Sequence, residues 1–132
     1  DQQPCTQAFC EVVPIVDDSR AVLTVHAIPD YDQYDPLRPA SYDVMSVARM
    51  QMSIQEDDTP YQWYRLFVPA HRHHRQQPNL FQSAEVVQMS LIDSPGLNSD
   101  LFKTMNLFAR QEEIDVIVFV INAANHLTLS AR

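Results

Sequence analysis

Apolar and polar positions alternate or cluster along the chain in a way that predicts an ordered series of elements. Phe9, Val12, Val13, Ile15 and Val16 mark residues 9–16 as a strand, and Asp17-Asp18-Ser19-Arg20 reads as a polar turn. Residues 21–28 predict a second strand, closed by Pro29, so the two make an antiparallel hairpin. Residues 30–39, rich in Asp, Tyr and Pro, read as a loop. Over 41–55 the period is helical: Val44, Val47, Ala48 and Gln51 form a stripe flanked by Tyr42, Met45 and Met52, with Ser41 as N-cap. Glu56-Asp57-Asp58-Thr59-Pro60 ends that helix, residues 61–68 return to a strand pattern, and 69–83 read as a polar loop. In 86–92, Val87, Met89 and Leu91 alternate with Gln88 and Ser90, the pattern of a strand. Ser99 then caps a helix whose apolar face is Leu101, Phe102, Met105, Phe108 and Ala109. Residues 114–121 are apolar apart from Asp115, as in a strand covered on both faces. Strand, helix and strand in that order form a crossover unit with a parallel pair as its product. The class is α/β, with an antiparallel hairpin on one side.

Composition narrows the functional classes. A length of 132 residues sets a prior of one domain or less, and 45% hydrophobic residues suffice for a core. Nine Lys plus Arg against 17 Asp plus Glu give a net charge of -8. Nucleic acid is therefore not expected as a partner, because backbone binding rests on clustered basic residues. An anionic membrane surface is disfavoured for the same reason. No apolar run approaches the roughly 18 residues of a spanning helix. The N-terminus lacks the basic and apolar regions of a signal peptide and does not begin with Met, so the natural start is expected upstream. Cys5 and Cys10 would point to opposite faces of an extended segment, and reduced thiols are expected over a disulfide.

The chain has one glycine, Gly96, in Asp93-Ser94-Pro95-Gly96 at the end of the 86–92 run. A phosphate-cradling Gly-x-x-x-x-Gly-Lys-Ser/Thr loop needs two glycines, so this chain contains none. A carboxylate fixed at a strand end can supply oxygen to a hard cation such as Mg²⁺. A following glycine lets backbone approach a phosphate with no Cβ in the way.

These residues resemble a family. The run from Leu91 to Asp100 is similar to the switch II segment of mitofusins, membrane-fusion GTPases of the dynamin superfamily, and Arg110 to Asn122 with His126 to Ala131 resembles the fungal branch. Gln3-Pro4-Cys5-Thr6 resembles switch I, and Val25-His26-Ala27-Ile28-Pro29 is also similar to the fungal proteins. Residues 30–84 match weakly and read as a lineage-specific insertion. The resemblance implies that residues 1–132 are the central part of a dynamin-type GTPase domain, a P-loop NTPase-like sheet, with switch I near 3–6 and switch II at 93–100. It further implies that the phosphate-loop strand is missing, belonging before Asp1 and between the strands that end at Asp93 and Ile121. The base-recognition motif is expected after Arg132, because Asn122-Ala123-Ala124-Asn125 lacks its lysine and aspartate. Thr6 and Asp93 are then the residues toward Mg²⁺ and the attacking water, and Gly96 is the amide donor to the γ-phosphate of GTP. The implied parent hydrolyses GTP to fuse mitochondrial outer membranes, faces the cytosol, pairs as a homo-oligomer through its GTPase domains and is anchored by regions outside this chain. The chain alone is expected to be inactive.

Other features have plainer readings. His71, His73 and His74, with Arg72 and Arg75, fit no closed zinc spacing and read as a solvated loop. Met45, Met50 and Met52 read as core or helix-packing residues, and Gln111-Glu112-Glu113 as an exposed helix end. Two rivals stay open: another dynamin-like or septation-type GTPase, and a non-catalytic interaction module in which Asp93-Ser94-Pro95-Gly96 is only a turn.

Overall fold

The computed structural model describes residues 6–16, 18–70, 89–95 and 114–118. Among the described residues the strands are β1 (Phe9–Val16), β2 (Thr24–Ile28), β3 (Asp43–Met45), β4 (Trp63–Ala70) and β5 (Leu91–Asp93), with one α-helix, α1 (Val47–Ser53), and short 3-10 turns at Tyr31–Gln33 and Pro39–Ser41. They form a five-stranded sheet in the order β3-β2-β4-β1-β5. The fold is thus mixed α/β, dominated by strands.

The expected β1–β2 hairpin does not form. β4 lies between the two, parallel to β1 and antiparallel to β2. Two adjacent aromatic residues explain why. Trp63 and Tyr64 are 2% and 0% exposed, and side chains of successive strand residues point to opposite faces. A strand burying such bulk on both faces belongs in the middle of a sheet, where both backbone edges are also paired. Full burial of each such side chain is worth about 1.5–3 kcal/mol, more than the local preference for a turn at residues 17–23 can offset. The sheet therefore carries two cores. On the α1 face Ala8, Val25, Ala27, Met50, Ile54 and Tyr64 pack together. On the opposite face Phe9, Ile28 and Trp63 do so, roofed by Tyr31, Tyr34 and Tyr42 from the 29–42 loop and flanked by Ile92.

The helix begins later than its sequence pattern suggests. Ser46, not Ser41, is the N-cap, its side chain accepting from the Arg49 amide at 3.1 Å. Residues 43–45 instead extend the sheet by pairing with β2, which gives their backbone groups partners that an isolated first turn would lack. The buried stripe shifts accordingly: Met50 and Ser53 are buried, with Ile54 at the C-cap, while Ala48 and Gln51 are exposed. Of the three methionines, Met50 is core, Met45 is half-buried and Met52 is 64% exposed. Ser41 has another task, its Oγ lying 2.8 Å from the Asp35 carbonyl and 2.7 Å from that of Arg38.

Of the strand expected over 86–92, residues 91–93 are strand, 89–90 are not, and 86–88 lie outside the described residues. In the run expected as a strand over 114–121, residues 114–118 carry no strand pairing and the remainder lies outside the described residues. The parallel pair expected between these two runs is not found among the described residues, where the parallel pair is β1–β4. The helix over 99–109, the histidine cluster at 71–74, Gln111-Glu112-Glu113 and Cys5 also lie outside them. No described helix is long and apolar enough to cross a membrane.

Candidate functional site

The candidate site rests on how β1 meets β5. The two run antiparallel with Cys10 opposite Asp93, Glu11 opposite Ile92 and Val12 opposite Leu91. In such a pair, chain preceding Cys10 runs beside chain following Asp93. Thr6, just before β1, and Ser94-Pro95, just after β5, therefore leave the sheet at one end. Thr6 stands four positions before Cys10, which bounds its offset from the level of Asp93 at about 14 Å along the strand. The approach to β1 is held by two backbone bonds, Gln7 N–H to the Ile54 carbonyl at 2.8 Å and Phe9 N–H to the Gln62 carbonyl at 3.0 Å.

Asp93 is exposed, Pro95 is buried and Thr6 is half-buried. Gly96 lies outside the described residues. Cys10, a free thiol, shares a face with Asp93 through the register. Burial first, then the charges of Asp93 and Glu11, push its pKa up. The thiol is thereby kept protonated and a poor nucleophile.

For Mg²⁺ the donor chemistry fits in kind: a carboxylate and a hydroxyl are hard oxygen ligands, and this ion commonly takes one or two protein carboxylates and fills its octahedron with water and phosphate. The described residues hold no group of three His, Cys, Asp or Glu side chains that could cage an ion by themselves.

A second cluster was not singled out by sequence reasoning. On the aromatic face Glu11, 7% exposed, accepts from Trp63 Nε1 at 3.1 Å. Arg65 Nε lies 3.2 Å from the same carboxylate oxygen, an ion pair by distance whose angle is not that of a hydrogen bond. Arg65 also donates to the Tyr34 hydroxyl at 3.3 Å, and that hydroxyl lies 2.8 Å from His26 Nδ1. The signal was present: Glu11 and Arg65 are single charges inside otherwise apolar strand runs, and a buried charge needs a partner.

Taken together, the described residues define a mixed α/β sheet with an exposed aspartate, Asp93, at a strand end, compatible with part of a GTPase-like fold. The chain is 33% identical to Mitofusin FZO1 of Saccharomyces cerevisiae over 141 aligned positions, taking in 100% of the chain and 16% of the relative. It is thus a mitofusin-like segment, similar along its whole length to about a sixth of that protein. No family model matches the chain, and no solved structure matches it.

Proposed function

We propose that the chain is an internal segment of a GTPase domain and carries its two switch regions. The observation that carries this reading is the β1–β5 register, because it brings Thr6 before β1 and Asp93-Ser94-Pro95 at the end of β5 to one end of the sheet, in a chain similar to a mitofusin. In a complete domain, Asp93 and Thr6 hold Mg²⁺ and order the attacking water, and Gly96 offers its amide to the γ-phosphate. The cation, when bound, offsets charge that builds on the transferring phosphate. Asp93 stands at a strand end whose backbone is held by the ladder to Cys10, which limits the ordering left to its side chain. Residues 30–84, the stretch that resembles the family least, supply β3, α1 and the central strand β4.

The parent protein hydrolyses GTP and couples it to fusion of mitochondrial outer membranes, with this domain on the cytosolic side and paired with a second copy. The chain alone binds no GTP measurably, since a lysine-and-amide cradle for the phosphates is not in its sequence.

The test uses the longer protein that carries this segment. Asp93→Ala together with Gly96→Ala should abolish Mg²⁺-dependent GTP turnover while leaving the folded content unchanged by circular dichroism. Full turnover in the folded double variant refutes the assignment. Micromolar GTP binding by the 132-residue chain would separately refute its inactivity.

A further inference from the structure

We propose that His26 is an acid-operated latch for the 29–42 loop: a proton on Nδ1 removes the acceptor of the Tyr34 hydroxyl and releases the loop's aromatic side chains from the sheet. The inference is independent of any nucleotide chemistry.

Arg65 has only donors, so the Tyr34 oxygen accepts from it. The latch assigns the phenolic proton to His26 Nδ1, 2.8 Å away, with the neutral imidazole carrying its own proton on Nε2. His26 is also stacked on Tyr42, with ring centroids 3.8 Å apart, and meets Phe67 edge-on at 4.8 Å. The loop is thus fastened to β2 through one ring that touches two of its tyrosines. Tyr31 completes the roof over Trp63 at 4.4 Å.

Protonation undoes the arrangement twice over. An imidazolium donates from both nitrogens, so the Tyr34 oxygen would face two donors and its own proton would lose its acceptor. It would also stand on the same face as the Arg65 guanidinium, directly across the β2–β4 pair. The groups around His26 do not supply a counter-charge. From β4 come Arg65 and apolar Phe67; from the loop come the neutral phenols Tyr34 and Tyr42; from β3 the paired residue is Val44. On β1, Glu11 is engaged by Arg65 and by Trp63 Nε1. Burial first, then the charge of Arg65, hold the His26 pKa below its ordinary 6.5.

The sign follows from proton counts. Between the lowered folded value and the ordinary 6.5 the released state binds more protons than the latched state, so closure is fully favoured above 6.5 and weakens as pH falls below it. One proton permits the opening constant to rise by at most about tenfold per pH unit in that window.

Trp63 is the chain's single tryptophan and lies beneath Tyr31, so its fluorescence reports the roof. Acrylamide quenching of the full chain is measured from about pH 7.5 to about pH 5, across the histidine range. Quenching should rise as pH falls for the wild type and stay flat for His26→Asn, whose Oδ1 can stand where Nδ1 does and accept from Tyr34 but cannot titrate. A wild-type profile that is flat, or one that His26→Asn reproduces, overturns the latch. If that variant does not fold, an NMR titration of His26 in the wild type decides: a midpoint below 6.5 that coincides with the quenching midpoint supports the latch, and any other midpoint overturns it.

Discussion

The Glu11–Arg65 pair can be dissected by replacing each member with Met, singly and together. Glu11→Met leaves the half-buried guanidinium and the Trp63 Nε1–H without their carboxylate. Arg65→Met leaves the carboxylate, at 9% side-chain exposure, with the indole alone. Breaking a fully buried pair costs about 3–5 kcal/mol. Arg65 retains 21% side-chain exposure and can turn toward water, so about 2–3 kcal/mol for each single variant is the better figure. The double variant replaces two charges by apolar chains of similar length and strands only the indole N–H, at about 1–2 kcal/mol. The coupling energy is then about 3 kcal/mol, at the upper end for neighbouring residues. Urea unfolding followed by Trp63 fluorescence measures it, provided the slope with denaturant is unchanged across the four proteins. A coupling below about 0.5 kcal/mol would refute the reasoning. It would mean that each charge is hydrated by itself and that the pair does not act as a unit.

Three further outcomes follow. Ser46→Ala should destabilise the chain by about 1 kcal/mol through loss of the cap, whereas Ser41→Ala should leave α1 intact and loosen only the 29–42 loop, both read by amide exchange. Tyr61 donates to Asp43, and that bond followed by burial raises its pKa to about 12. Its contribution to stability is present below the ordinary tyrosine value and lost as pH rises toward about 12, and Asp43→Asn should return the phenolate absorbance midpoint toward that ordinary value. In a Cys5→Ser background, Asp93→Asn should lower the Cys10 pKa and speed its alkylation at mildly alkaline pH; an unchanged rate profile would show that the Asp93 charge does not reach the thiol.

What could be read from the sequence was the local pattern, and what could not was the pairing. β1 and β4 stand close to where alternation and β-branched residues put them, because both are strands in any arrangement that buries Phe9 or Trp63. The error at β2 was one of neighbours. A short polar turn between two strand patterns favours a hairpin, yet nothing in that turn encodes the competition from Trp63 and Tyr64, which lie far along the chain. The helix start was misread because Ser41 and Ser46 are equally good caps by type. Only the chance for 43–45 to pair with β2 separates them, and that is a tertiary fact. At the candidate site the motif residues could be named, but their shared end of the sheet follows from the β1–β5 register, which alternation alone does not set. Glu11 and Arg65 show the reverse case: two charges in apolar runs were visible and their mutual attraction could have been inferred.

β4 comes wholly from the stretch that looked most dispensable, and this limits how the protein can vary. Excising residues 30–84 would not trim an ornament; it would pull out the strand against which β1 and β2 both lean and leave two unmatched backbone borders facing each other. Tolerance to substitution should therefore be sharply uneven within that stretch, generous at the solvent-facing Asp and Pro positions and strict from Trp63 to Phe67. Any shortened version meant to stay folded must keep that strand and join it by new connections.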